Sequence, residues 1–553
     1  METQTDMANE FELMKKVSIN MATYPKTRRY CKQVLDGLVD VKCDIVRVYL
    51  NEYTEIPDEF PKGDKFHYHL GDENIMDSGK FYFMQPNEYY FTIDDDLLYT
   101  QEYFRKSLEF MKETGYVAVT TFGKVLKPQP RHFVDVEMVV SWRDDVKDNY
   151  ICNVAGTCLS LFDTDKIYFN SNYFKHHGMT DLEVARIFQV RQFPIICRAH
   201  EASEVKYLAD DFKETLWDRR EELVEKHDEI LRSVPEWDLF EHKRVLWLTN
   251  YIHDTLINDE KITRSGQYLW IRSMGADVRR WAQIRDKESI NDYDIIHMNL
   301  APNDLDLALE VRSILGEKSN TKLICQADHG VDVMNGVFNF QLFKQAVNAA
   351  DYVIGVEEMQ CRMLRFLTQK PVIEINNPVD VEFVRGVQGL TQENRVGVIS
   401  HRYQAHEAYL GQAFDRLCVP VDLLAYQGQD AIRLMKTYDT IYGDTDYLNF
   451  LRLLTKYKVL VDGHLSYSIG RVCMDAAALG IPMICSERSE TAKVLYPHTL
   501  VNPYDVGEIR ELTERLLNDI VFYHNVVSTA LERVAEFDMF KTKTRLLNHL
   551  SND

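Results

Sequence analysis

The chain has 553 residues, with 64 Lys and Arg against 86 Asp and Glu, a formal net charge of −22. Hydrophobic residues are 45% and charged residues 27% of it, which excludes collagen-like, disordered and coiled-coil classes. The length suits about three to five domains with a large buried core, and the acidity argues against broad non-specific binding to nucleic acid.

The N-terminal stretch METQTDMANEFELMKK is polar and lacks the apolar centre of a secretory signal. From there to about residue 200, strands alternate with helices. Val17 to Ala22 reads as a strand, Thr27 to Leu38 has helical spacing, Ile45 to Leu50 is a second strand and Tyr89 to Ile93 a third. This alternation predicts a mainly parallel sheet with ligands at the strand C-terminal ends. Residues from about 208 to 240 are charge-dense and helix-compatible, and are expected to be a helical connector with i,i+4 charge pairs on its outer face.

A strand at Arg244 to Thr249 restarts the alternation, followed by candidates at Ile295 to Asn299, Leu323 to Ala327, Tyr352 to Val356 and Val372 to Ile375. After the Asn376-Asn377-Pro378 break come Val396 to Ser400, Val421 to Ala425, Val459 to Val461 and Met483 to Cys485, then a helical tail from about 507 to 550. Two successive series predict two Rossmann-like lobes. The most apolar stretch, Ala476 to Cys485, is shorter than the ~18 residues of a membrane span. The ten Cys form no CxxC pair or zinc spacing and read as buried reduced thiols of a cytoplasmic protein, soluble or peripheral at a membrane surface.

Two constellations carry chemistry. The first is Asp94-Asp95-Asp96, which closes the third strand. Adjacent carboxylates repel unless neutralised, and a divalent cation held with substrate phosphates does this; an isolated acidic turn open to solvent is the plain alternative. The context favours the cation. YYFTIDDDLLY resembles the DXD metal site of GT-A glycosyltransferases, the family 2 group in particular. VSINMATYPKTRRY, VYLN, GDENIMDSGKFYF and GMTDLEVARIFQ resemble, in order, the other segments of that fold, over about residues 15–205. The resemblance implies a nucleotide-sugar donor, with UDP-sugar the leading candidate, and Mn²⁺ or Mg²⁺. It places Thr23 and Tyr24 at the nucleobase, Asp72 at the base or ribose, Lys80 at the donor, Asp94 near the ribose, Asp96 on the metal, and Asp95 beside them. Asp181 would be the general base for the acceptor hydroxyl, with Glu183 its rival. His200 would be an extra metal or phosphate ligand, or else a satisfied structural histidine.

The second constellation lies in SYSIGRVCMDAAALGIPMICSERS, which with VIEINNPVDVEFV and YGDTDYLNFLRLLTKYKVLVDG resembles GT-B glycosyltransferases close to family 4, over about 243–525. Gly470 would open a helix whose N-terminus favours a diphosphate, Arg471 would add a charge-assisted contact, and Asp475 would hold the ribose. Gly480 and Pro482 would turn the chain into the next strand. The chain departs from that pattern at two points: Tyr467 replaces the first acid, and the usual Arg and Lys shrink to His401-Arg402, leaving Arg402 to meet the diphosphate. His329 and Arg264 are acceptor-side candidates in the first lobe, with turn and surface roles the plain alternatives.

The expected architecture is α/β: a GT-A Rossmann-like mixed-sheet domain over 1–207, the connector over 208–242, and GT-B twin Rossmann-like lobes over 243–385 and 386–553. The expected activity is sugar transfer by both modules, the first metal-dependent and inverting, the second metal-independent, as in polysaccharide biosynthesis on a glycan or glycoconjugate acceptor. The alternatives are one active GT-A module beside a GT-B-like acceptor-binding domain, a phage-type transferase acting on modified DNA bases, which the net charge disfavours, and a nucleotidyltransferase or plain binding module.

Overall fold

The computed structural model describes residues 15–209, 223–250, 266–316, 319–328, 339–400, 404–415, 417–426, 437–443, 445–465, 467 and 470–551. The chain divides into two units, Met1–Arg244 and Val245–Asp553. Arg264, His329, His401 and Arg402 lie outside the described residues.

The first unit is built on β1 (Lys16–Thr23), α1 (Arg28–Leu38), β2 (Ile45–Leu50), β3 (Phe66–Leu70) and β4 (Glu88–Ile93). The hydrophobic side of α1 (Tyr30, Cys31, Val34, Leu35, Leu38) recurs every three or four residues and is buried, the pattern of a helix laid on a sheet. β1 pairs in parallel with both β2 and β4, and four consecutive residues of it, Ser18 to Met21, are buried. Burial on both faces is what a central strand demands. Next come β5 (Leu97–Tyr99), α2 (Gln101–Thr114), β6 (Ala118–Thr120), β7 (Gly123–Leu126), β8 (Val136–Val140), β9 (Tyr150–Cys152), β10 (Val154–Ala155) and β11 (Leu159–Asp163). They are followed by α3 (Thr180–Arg191), β12 (Ile195–Cys197), β13 (Val205–Tyr207) and α4 (Val224–Arg232).

The main sheet runs β3-β2-β1-β4-β11-β6-β12-β9, with smaller sheets β10-β7-β8 and β13-β5. It is mixed, as expected for this domain: four of its seven pairings are parallel, while β11 runs antiparallel to both β4 and β6, and β9 antiparallel to β12. Beneath the sheet, Arg47 makes a two-pronged ion pair with Glu88 (2.7 and 2.6 Å), and the Ser18 hydroxyl donates to the same carboxylate at 2.7 Å.

The described part of the expected connector is not a solvent-facing rod. Leu223, Ile230, Leu231, Val234 and Trp237 pack with Leu126, Val154, Met179, Leu182 and Ala185. This apolar stripe makes α4 a structural part of the first unit, and no regular element follows it up to Arg244.

The second unit holds two six-stranded sheets, parallel throughout. The first is ordered Asp277–Arg280, Val245–Thr249, Ile295–Asn299, Lys322–Ala327, Tyr352–Gly355, Val372–Glu374. The second is ordered Thr440–Gly443, Val421–Tyr426, Glu393–Ile399, Tyr457–Asp462, Met483–Ser486, Leu500–Val501. These are two Rossmann-like α/β sheets. The tail forms three helices, Val506–Asn518, Ile520–Arg533 and Met539–Ser551. No described helix is long and apolar enough to cross a membrane.

Candidate functional site

Register assembles the site in the first unit. Met21 of β1 lies opposite Ile93 of β4, and Thr23 opposite Leu50 of β2, so the residues after these strands emerge at one sheet edge. Thr23, Tyr24, Asn51, Asp94, Asp95 and Asp96 meet there, at a cavity of about 1010 Å³. The Met76–Phe81 turn adds Asp77 and Lys80, the first turn of α3 adds Thr180 and Asp181, and α4 adds His227. Seven residues expected from the sequence thus line one cavity: Thr23, Tyr24, Lys80, Asp94, Asp95, Asp96 and Asp181.

The three acids are held differently. Asp94 pairs with the buried Lys80 ammonium, and its backbone N–H donates to the Tyr99 hydroxyl at 2.8 Å. Burial alone would lower the Lys80 pKa, but the Asp94 and Asp77 carboxylates outweigh it and hold it above its ordinary value. Asp95 accepts from the Thr27 hydroxyl; burial pushes it up to about 6 against the pull of the Thr23 and Thr27 hydrogen bonds. Asp96 is pushed up to about 8, first by burial and then by its neighbours Asp94 and Asp95. A carboxyl so placed gains most from a nearby cation.

No group of three or more His, Cys, Asp or Glu is placed to hold a metal among the described residues. The donor set nonetheless fits a hard divalent ion held largely by a ligand's phosphates, because such ions take only one or two carboxylates there. Asp96, with the Asp94 oxygen that Lys80 does not engage, supplies that number.

In the same lining, Asp181 Oδ1 accepts from the Thr157 N–H at 2.8 Å and from its hydroxyl at 2.7 Å, which orients the carboxylate. Asp77 ties two parts of the lining together. Its Oδ1 accepts from Gly178 N–H at 2.9 Å and its Oδ2 from the Thr180 hydroxyl, so the turn that carries Lys80 is fastened to the start of α3.

Three expected residues lie elsewhere. Asp72 is exposed and outside the cavity lining, where Asp77, five residues on, takes the place beside Lys80. Glu183 is 0% exposed; Oε1 accepts from the Lys175 and His176 N–H groups at 2.8 and 2.9 Å and Oε2 from Arg186 at 3.1 Å. It fastens the loop before α3 and lies outside the cavity lining, because two residues on from Asp181 is about 200° around the helix. His200 is buried, and both its ring nitrogens meet backbone carbonyls, of Arg198 at 2.8 Å and Ser141 at 3.1 Å; it is structural and not at the acids.

The sequence reading missed Asp77, Lys124, Arg143 and His227, all in the lining. Arg143 lies over the rings of Trp142 and Tyr207, 5.0 and 5.5 Å from their centroids. The adjacent Trp-Arg pair was the one local signal for it.

In the second unit, Gly470 precedes the Arg471–Ala478 helix with φ 76°, and a Cβ there would come within 2.0 Å of Ser489 Oγ. Only glycine suits that corner. Arg471 donates to the Pro378 carbonyl. Asp475 is 0% exposed and its Oδ1 accepts from the Tyr447 hydroxyl at 2.7 Å. The expected ribose-binding acid is therefore enclosed, because every residue of its helix after Arg471 is buried.

No family model matches the chain, and no curated protein does. Among solved structures it is similar to sucrose-phosphate synthase from Thermosynechococcus elongatus, at 14% identity over 56% of this chain and 100% of that one, with a TM-score of 0.44. It is also similar to an E. coli structure described as trehalose-6-phosphate bound with UDP-2-fluoro glucose, at 10% identity over 56% of this chain and 98% of that one, TM-score 0.44. A trehalose-6-phosphate synthase is similar at 11% identity over 49% of this chain and 77% of that one, TM-score 0.41. Likenesses this distant bring no residue role to this chain.

Proposed function

We propose that the first unit is a glycosyltransferase of GT-A type that moves a sugar, a hexose or a related one, from a nucleotide sugar to a hydroxyl acceptor with inversion. The observation that carries this is one cavity that the strand-end acids and Lys80 share with an oriented carboxylate, Asp181. Thr23 and Tyr24 line the nucleoside end. Asp96 and Asp94 would hold Mn²⁺ or Mg²⁺, which when bound offsets the charge of the departing diphosphate. Asp181 takes the proton of the acceptor hydroxyl as its oxygen bonds to the anomeric carbon and the nucleoside diphosphate leaves with the electrons of the broken bond. UDP is the leading base, and a glycan or glycoconjugate in the cytoplasm or at a membrane surface the leading acceptor.

The second unit, Val245–Asp553, is read as GT-B-like, close to the lobes expected over 243–385 and 386–553. Of the two roles open to it, acceptor or partner binding is favoured over a second transfer, because Asp475 is enclosed against Tyr447. The test is nucleotide release from UDP-, GDP-, CMP- and TDP-sugars with Mn²⁺, Mg²⁺ or EDTA. One donor consumed only with metal, and spared by Asp96→Ala, supports the reading. Consumption that survives EDTA and Asp96→Ala but is lost in Asp475→Ala would move the activity to the second unit.

A further inference from the structure

One wall of the cavity comes from the start of α4, the segment expected to be a mere connector. Leu223 and His227 from this wall join Lys124 and Leu126 of β7, Phe133, and the start of α3 in the lining. His227 is the informative member. It is 7% exposed, its ring lies on that of Phe133 with centroids 4.3 Å apart, and Nδ1 is fully buried without a hydrogen-bond partner among the described residues. The ring makes no other hydrogen bond there.

A buried imidazole nitrogen left without a partner is unfavourable and uncommon, so its presence in a cavity wall points to a ligand that completes it. Burial lowers the pKa of His227, and the charges nearest to it are Asp228, Lys124 and Asp181. Neutral imidazole offers one donor and one acceptor. A hydroxyl matches it, because a hydroxyl also offers both. Lys124 and Asp181, of opposite charge, both line the cavity near His227, so an uncharged ligand is not disfavoured there. A ligand that presents one hydroxyl to Asp181 and a second to His227, with a ring face for Phe133, Trp142 and Tyr207, is a saccharide.

We infer that the α4 end of the cavity is an acceptor subsite for a sugar ring, in which His227 hydrogen-bonds one hydroxyl while Asp181 deprotonates another. The inference rests on the transferase reading of this cavity and adds to it where the acceptor sugar sits and a residue that holds it.

The experiment uses the full chain, with histidine labelled at Cε1, and titrates it with the methyl glycosides of glucose, galactose, mannose and N-acetylglucosamine, with 1-propanol as the non-sugar control. His227→Phe keeps the ring stack and removes both nitrogens, and so identifies the His227 signal; His227→Asn restores a donor and an acceptor. The expected result is a saturable shift of the His227 signal with at least one glycoside and none with propanol. His227→Phe then raises the KM for that glycoside by about tenfold, the worth of one neutral hydrogen bond, more than it raises the donor KM, and His227→Asn recovers part of it. If no glycoside moves the signal, or if propanol moves it equally, while nucleotide release still depends on Asp96, the subsite is overturned and the transferase reading stands. If no donor is consumed, or Asp96→Ala changes nothing, the reading falls and the subsite with it.

Discussion

Each unit carries an acid that the sequence assigns to a nucleotide sugar, and the two folds treat those acids in opposite ways. Asp94, Asp95 and Asp96 follow the last residue of a strand and are half-buried at a cavity, where they crowd one another. Asp475 sits inside a short helix that is buried along its length, with a tyrosine hydroxyl on its carboxylate. A strand end leaves a side chain at an edge that a ligand can reach, whereas an interior helical position ties it to the packing around it. The same residue type is therefore open to a ligand in one unit and enclosed in the other.

The comparison breaks most readily in turnover. Asp181→Asn keeps the Thr157 hydrogen bonds and removes the base, and should lower transfer by about 10²–10⁴-fold. Asp96→Ala should lower the same activity and abolish its response to Mn²⁺ or Mg²⁺, while Asp475→Ala should leave it within about twofold, a change too small to mark a lost contact. Parallel nucleotide-release assays on the three variants decide this. A loss in Asp475→Ala as deep as in Asp96→Ala would show that both acids serve one reaction.

Stability gives the next largest effects. Glu88→Ala strands the Arg47 guanidinium beneath the first sheet, and should cost the first unit about 3–5 kcal/mol, the usual penalty for breaking a buried pair. Tyr447→Phe removes the hydroxyl that meets Asp475 and should cost the second unit about 1–3 kcal/mol. Hydrogen exchange read separately over 15–209 and 266–551 assigns each loss to its unit. If Tyr447→Phe left the second unit unchanged, the enclosure of Asp475 would not be what stabilises it.

Much of the fold was legible where strands are central. β2 spans Ile45–Leu50 as read, and in the second unit the parallel inner strands are near-continuous apolar runs found within two or three residues of their expected ends. Three edge strands were missed: Asp277–Arg280 and Thr440–Gly443 are partly exposed and carry no apolar run, and the alternation of Phe66–Leu70 is only five residues long. The sharp turns and antiparallel returns of β5 to β11 were missed for a related reason, since short strands carry too few residues to show a period. At the site, Asp94 to Asp96 and Asp181 stand beside recognisable local segments. Asp77 does not, because its partner Gly178 is 101 residues away, and His227 reaches the cavity only through the packing of α4. The misplacement of Glu183 and His200 has the same origin: a residue type and a spacing do not show which way a side chain turns.

The last prediction concerns pH, where burial moves groups of the second unit in both directions. It lowers a base: Lys543, in the Met539–Ser551 helix, is 5% exposed and brought down to about 7. Between about pH 7 and its ordinary value near 10.4 the unfolded chain binds the proton that the folded chain has released, so the stability of this region should rise with pH across that window. Asp538, one turn earlier and pushed up by burial to about 6, acts in a separate window: between its unfolded pKa near 3.9 and about 6 the folded chain holds the extra proton, and stability falls as pH rises. Lys543→Met keeps the length of the side chain and removes its charge. It should raise Tm at pH 7 by about 2–4 °C for each kcal/mol recovered, and it should flatten the rise between pH 7 and 10 while leaving the acid window of Asp538 in place. A Tm that rises with pH equally in the variant would assign the dependence to some other group.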